Sequence, residues 1–436
     1  MHARTEPGII ELSALASASK ERPVWLRVGQ LIDGIRDRPL KHADIVFDAK
    51  EIRFAGNNPP RELLGDDQHG PDIELPNHTL LPCLIEAHAH LFLDGAPIPI
   101  EPREKYLKQS PEWMLERARA RWPKILQCGI GAVRDAGDKH GVGLALAREA
   151  KNELQNLASR PYLDSPGPAI HHRGRYGSFM GEPLEDHPSP AACVAARVAA
   201  GAHRIKLLVS GIINFKVGQV TVPPQMPVEE VKALVEAARA HNRQTFAHAS
   251  GSEGVENSIE GGVNTVEHGF FITREQLAKM RDKSIAWVPT FAPVQLQIDR
   301  ADLLGHSGEV VANLERIIEG HQRSLQLAHE MGVTIVAGSD AGSCGVPHGL
   351  GFLQELEQMQ RAGMPPMSIL RSATATSADT LAFPHRIGRI QAGYRSRFIL
   401  TPHDPLATIA HLQKDKFILF DARAIESPRH LNPDGL

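Results

Sequence analysis

From about Leu81 to Gly363 the chain alternates short β-rich runs with longer helix-periodic segments, and this rhythm restricts the fold more than any other feature. The strand candidates are residues 80–88, 130–135, 168–170, 204–210, 244–248, 264–268, 285–289 and 333–338. Between them lie segments such as Val228 to Arg239, where Val228, Val231, Leu234, Val235 and Ala238 fall on one face at helical spacing. Strand then helix, eight times over about 280 residues, predicts an α/β fold of the (β/α)8 TIM barrel type. Pro161, Pro166 and Pro168 crowd the third strand and weaken it.

The two ends read differently. Residues 24–28, 44–48 and 51–55 alternate apolar and polar side chains between turn residues, and Ile387 to Leu400 and Lys416 to Asp421 do the same. They predict a small β-sandwich built from both chain ends, residues 1–80 and 384–436, beside a barrel over 81–383. The length, 436 residues, suits one large barrel with a small appendage. A net charge of −3 gives no electrostatic reason for a nucleic acid or acidic membrane partner. The longest apolar runs fall far short of the ~20 residues a membrane helix needs, and the first twenty residues lack the apolar core of a signal peptide. The expected partner is a small-molecule substrate, with a homo-oligomer left open. Four cysteines, none at Cys-x-x-Cys spacing, imply no disulfide scaffold and a reducing cytoplasm.

His88 and His90 stand two apart on a strand, so both side chains face the same way. In a barrel that face is the lumen, and strand C-terminal ends are where such enzymes keep their active sites. His248 closes the fifth strand, His268 the sixth, and Asp340 follows the eighth. Four imidazoles and a carboxylate converging on one mouth suit zinc, manganese or cobalt. Lys206 lies between Ile205 and Leu207 in a run that should be buried, where an unpartnered ammonium is costly. Burial favours its neutral amine, which can add CO2 to give a carbamate able to bridge two divalent ions. A salt bridge across the lumen is the competing role for that lysine.

With these residues the sequence resembles the amidohydrolase superfamily, close to its imidazolonepropionase-like and Xaa-Pro dipeptidase-like branch. The resemblance runs from Leu31-Ile32-Asp33-Gly34 to Ile387-Gly388-Arg389-Ile390-Gln391-Ala392-Gly393 and takes in Arg134-Asp135-Ala136-Gly137. It implies His88, His90 and Asp340 on one metal, His248 and His268 on the other, and carboxylated Lys206 between them. Glu86 stands where the family more often has aspartate, and Gly393 to Phe398 lacks the usual Ala-Asp before the last strand. Arg173 to Phe179 replaces the Gly-Gly-His-Gly-Asp of dipeptidase-like members, and Ser250 occupies a position that is tyrosine in some of them.

The expected activity is hydrolysis of an amide or peptide-like C–N bond, in a dipeptide or N-acyl amino acid, by a metal-activated hydroxide. Asp340 is expected to take the proton of that nucleophile and pass it to the leaving amine. The alternative is a mononuclear enzyme opening a cyclic amide or deaminating a heterocycle, from which the bridging Lys206 would be missing. Specificity belongs to the βα loops. His172, Arg175 and Tyr176 are candidate substrate contacts, although an arginine of that loop could equally hold Glu182, Glu185 or Asp186. Gly211 to Pro227 is expected to be a lid or a stiff connector, His348 to cap a helix, and Asp135 to pair with Arg134 or Lys139.

Overall fold

The computed structural model describes residues 12–64, 68–95, 100–152 and 160–427. Strands β1 (Val24–Leu31), β2 (Leu40–Phe47), β3 (Ile52–Gly56) and β4 (Ile73–Pro82) come first. The parallel strands follow: β5 (Leu84–Ala89), β6 (Ile130–Asp135), β7 (Tyr162–Asp164), β8 (Ala169–His171), β9 (Gly181–Pro183), β10 (Ile205–Leu208), β11 (Thr245–Ala249), β12 (Thr265–His268) and β13 (Ala286–Val288). Last come β14 (Arg397–Thr401), β15 (Phe417–Phe420) and β16 (Arg423–Glu426). The result is an α/β protein, with no helix among the described residues long and apolar enough to cross a membrane.

Both chain ends contribute to one seven-stranded sheet, ordered β16-β15-β14-β4-β1-β2-β3. Its apolar face packs Leu26, Val28, Ile45, Phe47, Phe398 and Leu400 in a core of its own. Residues 80–82, expected in the first parallel strand, belong to this sheet instead, with Pro82 opposite Phe398. The chain changes sheets at Cys83, whose N–H donates to the Arg397 carbonyl at 3.1 Å, while Leu84 N–H donates to Gly129 at 2.9 Å.

The parallel strands pair in two groups, β5-β6-β7 and β13-β12-β11-β10-β8-β9. The third expected strand, residues 168–170, is observed as β8, which pairs with β10; the short strand before it, β7, lies outside the expected strands and pairs with β6. Pro166 and Pro168 lie between them and lack the N–H a continuous ladder requires. The eighth expected strand makes single bonds rather than a ladder: Trp287 N–H donates to Thr334 and Val336 N–H to Trp287, both at 2.9 Å. On its other side Ala87 N–H donates to Ala337 at 3.0 Å and Asp340 N–H to His88 at 2.7 Å. Gly338 permits this approach, because a Cβ there would lie 2.9 Å from the His88 nitrogen. The helix predicted from Val228 runs Val228–Ala240 and buries Val231, Leu234, Val235 and Ala238.

Arg397 of β14 joins the chain-end sheet to β6. It is fully buried, with Nε 2.6 Å from Asp421 and Nη1 donating to the Gly131 carbonyl at 3.1 Å. Its guanidinium lies 4.0 Å from the Tyr162 ring centroid. Removing one partner of a buried pair leaves the other charge uncompensated, so Arg397→Ala should destabilise the fold by about 3–5 kcal/mol. A chemical-denaturation midpoint equal to that of the native protein would contradict this account.

Candidate metal centre

The candidate residues gather at the C-terminal ends of the parallel strands. Glu86, His88 and His90 share one face of β5 and its continuation. Glu86 accepts from the backbone N–H of His88 and of Ser339, both at 3.0 Å, and from the Ser339 hydroxyl at 2.6 Å. It thereby fixes the segment that carries Asp340 against β5. Burial raises the Glu86 carboxyl to about 8. Asp340 Oδ1 lies 3.4 Å from His90 Nε2 and 3.6 Å from His88 Nε2. His88, His90 and Asp340 bring one ligand atom each within 4.8 Å of one another, a grouping that can hold a metal ion.

His248 and His268 face this group from β11 and β12. The His268 ring centroid is 4.5 Å from that of His248 and 5.0 Å from that of His88. Period 2 along β12 should send Glu267 and His268 to opposite faces, yet both reach His88. The backbone turns left-handed at His268, with φ 67°, and at Asp340, with φ 57°. These are uncommon for residues other than glycine. His268 is held by Nδ1, 2.7 Å from the Thr290 hydroxyl.

Lys206 sits on β10, the neighbour of β11, buried, with Nζ 4.6 Å from the Phe246 ring centroid and no hydrogen-bond partner among the described residues. Burial lowers its amine to about 8. Burial also lowers His248 to about 3, and holds His88 and His268 well below the usual imidazole range. Neutral imidazoles are the form that binds metal. His88 Nε2 is likewise buried with no hydrogen-bond partner among the described residues. Two such nitrogens beside a carboxylate are costly in an apolar interior, and the donor set fits a divalent ion.

Side chains beneath the cluster orient it, and sequence reading did not single out the central one, Glu267. Glu267 accepts from His88 Nδ1 at 2.6 Å and from Arg134 Nη2 at 2.7 Å. A charged residue inside a buried strand was the available signal. Asp135 does not pair with Arg134 or Lys139 as expected. Successive strand residues point apart, so Arg134 reaches Glu267, and Asp135 accepts from Ser165 Oγ at 2.8 Å. His348 does not cap its helix; its Nε2 lies 3.1 Å from the His90 carbonyl.

His88, His90, Lys206, His248, His268 and Asp340 all line one cavity of about 240 Å³. Its remaining wall is largely apolar, with Phe179, Met180, Ile213, Phe270 and Val294. Tyr176 lines it too, its ring centroid 5.1 Å from that of His248. His172 is turned away, Nδ1 2.8 Å from Glu185 and Nε2 2.7 Å from Glu230. Arg173 pairs with Asp186, and Arg175 donates to the Pro223 carbonyl at 2.6 Å. The 211–227 loop roofs the cavity through Ile212, Ile213 and Phe215.

The family pattern described as "Amidohydrolase family" matches residues 79–419. The chain belongs to the amidohydrolase family. Ochratoxinase of Aspergillus niger is 25% identical, aligned over 93% of this chain and 86% of its own. A solved Xaa-Pro dipeptidase with methionine bound in its active site is 26% identical, with a TM-score of 0.76 over 93% of this chain and all of that one. The solved A. niger ochratoxinase superposes at 0.75 with 23% identity, covering 94% and 97% of the two chains. This amidohydrolase is accordingly a hydrolase acting on carbon–nitrogen bonds of small molecules.

Behind the site, Glu355 accepts from the Ala292 N–H at 2.8 Å and so anchors the segment beside Thr290. Burial raises its carboxyl to about 8, from an ordinary value near 4.5. The folded state then holds a proton that the unfolded chain releases, and this contribution to stability is lost as pH rises towards 8. Glu355→Gln should therefore gain stability relative to the native protein between pH 5 and 8. Parallel pH profiles in denaturant titrations would refute the assignment.

Proposed function

We propose that this amidohydrolase cleaves the amide or peptide-like C–N bond of a dipeptide or N-acyl amino acid, with two divalent ions, zinc foremost and manganese or cobalt as substitutes. The reading rests on one observation: an unpartnered buried amine, Lys206, lies among four histidines and Asp340 around one cavity. His88, His90 and Asp340 would hold one ion and His248 and His268 the other, with a carbamate formed on Lys206 from CO2 bridging them. The parallel strands would close as a (β/α)8 barrel over about 81–383, with the chain-end sheet as its accompanying β domain. The amidohydrolase match and the relatives named as a dipeptidase and an ochratoxinase support amide chemistry. The free thiols of Cys83, Cys128, Cys193 and Cys344 support a reducing cytoplasm.

Divalent ions in such a site acidify water and polarise a carbonyl. The chain's own residues do the rest. Asp340 accepts the proton of the attacking water and delivers it to the departing nitrogen, general base then general acid. Glu267 and Thr290 hold His88 and His268 in orientation. Tyr176, whose ring lies beside that of His248, would flank the scissile group, and Arg175, in the same loop at the adjoining cavity, would meet a polar group of the substrate. His172, engaged by Glu185 and Glu230, orients that loop instead.

A mononuclear cyclic-amide hydrolase or heterocycle deaminase is the second reading. It is favoured by the fact that, among the described residues, His88, His90 and Asp340 are the one group of three or more His, Cys, Asp or Glu side chains with ligand atoms within 4.8 Å of one another. Elemental analysis of protein grown with added zinc or manganese separates the two. About two equivalents per chain, falling to about one in Lys206→Ala, is the outcome of the bridged site. One equivalent in both proteins would replace the first reading with the second. Asp340→Asn should lose at least ~10²-fold in turnover while the fold persists; unchanged turnover would remove Asp340 from its role.

A further inference from the structure

The cavity that holds the candidate ligands has a neighbour. A second cavity of about 600 Å³ adjoins it, and Tyr176, Ile212 and Ile213 line both. Its other walls include Val222 and the polar side chains of Arg175, Asn214, Thr221 and Gln225. Ile212 is 58% exposed and Val222 51% exposed. Together with Val217 they place three of the six exposed large hydrophobic side chains among the described residues on one loop.

That loop is not free to fold these side chains inward. Asn313, on a neighbouring helix, donates to the carbonyls of Phe215 at 3.1 Å and Lys216 at 2.9 Å. Gln225 ties its far end to the Tyr176 loop, accepting from His172 N–H at 2.8 Å and donating to the Tyr176 carbonyl at 3.1 Å. Arg175 donates to Pro223 across the same gap. The apolar rim is thus held open beside the catalytic cavity.

Resting on the amide-hydrolase reading, we propose that the outer cavity is a substrate subsite that takes an extended apolar group, a medium or long acyl or alkyl chain. Two features select this occupant. The shared wall of Tyr176, Ile212 and Ile213 sets the outer cavity directly beside the place where the scissile bond must lie. The inner cavity, at about 240 Å³, is smaller than the roughly 300–1,000 Å³ of ordinary ligand pockets, and the outer one supplies the missing space. Ile212 and Val222 are then specificity-determining residues, exposed because their partner is the substrate.

The test uses the full-length, metal-loaded protein and two probe series. In one, N-acyl-L-phenylalanines run from acetyl to decanoyl; in the other, N-acetyl-L-phenylalanine n-alkylamides run from methyl to decyl. In at least one series kcat/KM should rise at least roughly tenfold with chain length, given the gain per buried methylene. Calorimetric binding of the same probes to metal-free protein should follow the same order. Ile212→Ser and Val222→Ser should each lower the long-to-short ratio several-fold. Flat or falling dependence in both series, or ratios unchanged in both variants, would overturn the subsite. Good hydrolysis of the short probes with no chain-length gain would sink the subsite and leave the amide-hydrolase reading standing. Tighter binding of long chains that both variants lose, with no hydrolysis of any probe, would keep the subsite and remove that reading.

Discussion

A single buried carboxylate holds the centre together. Glu267 on β12 meets Arg134 of β6 and His88 of β5, so three strands separated widely in sequence are joined by one group. Arg134 in turn donates to the Thr265 hydroxyl at 3.0 Å and to the Ala87 carbonyl at 2.5 Å. Ions this deep are tolerated only when paired and hydrogen-bonded throughout, and here each partner constrains the other's position. The contact also fixes chemistry. A carboxylate can only accept, so Nδ1 of His88 carries the proton and Nε2 presents its lone pair towards Asp340. The orientation of the first histidine therefore follows from electrostatics beneath the cavity, before any ligand is considered.

Around that anchor the chain accepts backbone strain where side chains must converge. A left-handed non-glycine residue costs roughly 1–2 kcal/mol, and His268 and Asp340 both adopt it. In return two consecutive residues on one strand, Glu267 and His268, can both address His88. Likewise Ser339 can bond Glu86 while Asp340 reaches His88 and His90. Regular strand geometry would place only alternate residues in the lumen. Strain of this kind survives when its surroundings over-determine it, as Glu86, Thr290 and the His88 carbonyl do here.

This division explains what could be read from sequence. Parallel strands announced themselves as apolar runs, and His88, His90, His248, His268 and Asp340 stood out because polar residues at the ends of such runs are unusual. Lys206 was legible for the same reason. Properties set by long-range contact were not legible. The additional strand β7 ahead of Pro166 and Pro168, the transfer of residues 80–82 to the chain-end sheet, and the sparse bonding of residues 333–338 depend on which neighbour each backbone finds. Glu267 was hidden because alternation argues that it and His268 face apart; only the φ at His268 reverses that inference. His172 looked like a substrate contact, yet Glu185 and Glu230 claim both its nitrogens, and no local pattern reveals a partner 58 residues away.

The same contrast separates chemistry from selectivity. The polar floor is locked by buried side-chain pairs, so its geometry changes little without loss of the fold. The roof is fastened differently: Gln225, Arg175 and Asn313 grip backbone atoms of the 172–176 and 211–225 loops rather than particular side chains. A loop held by its backbone can exchange Ile212, Ile213 or Val222 without releasing its anchors. Selection can then reshape the cavity wall while Glu267, His88 and Asp340 stay where the reaction requires them. In this architecture the residues that would carry the reaction are inherited with the strands, and the shape of the substrate is written in the loops.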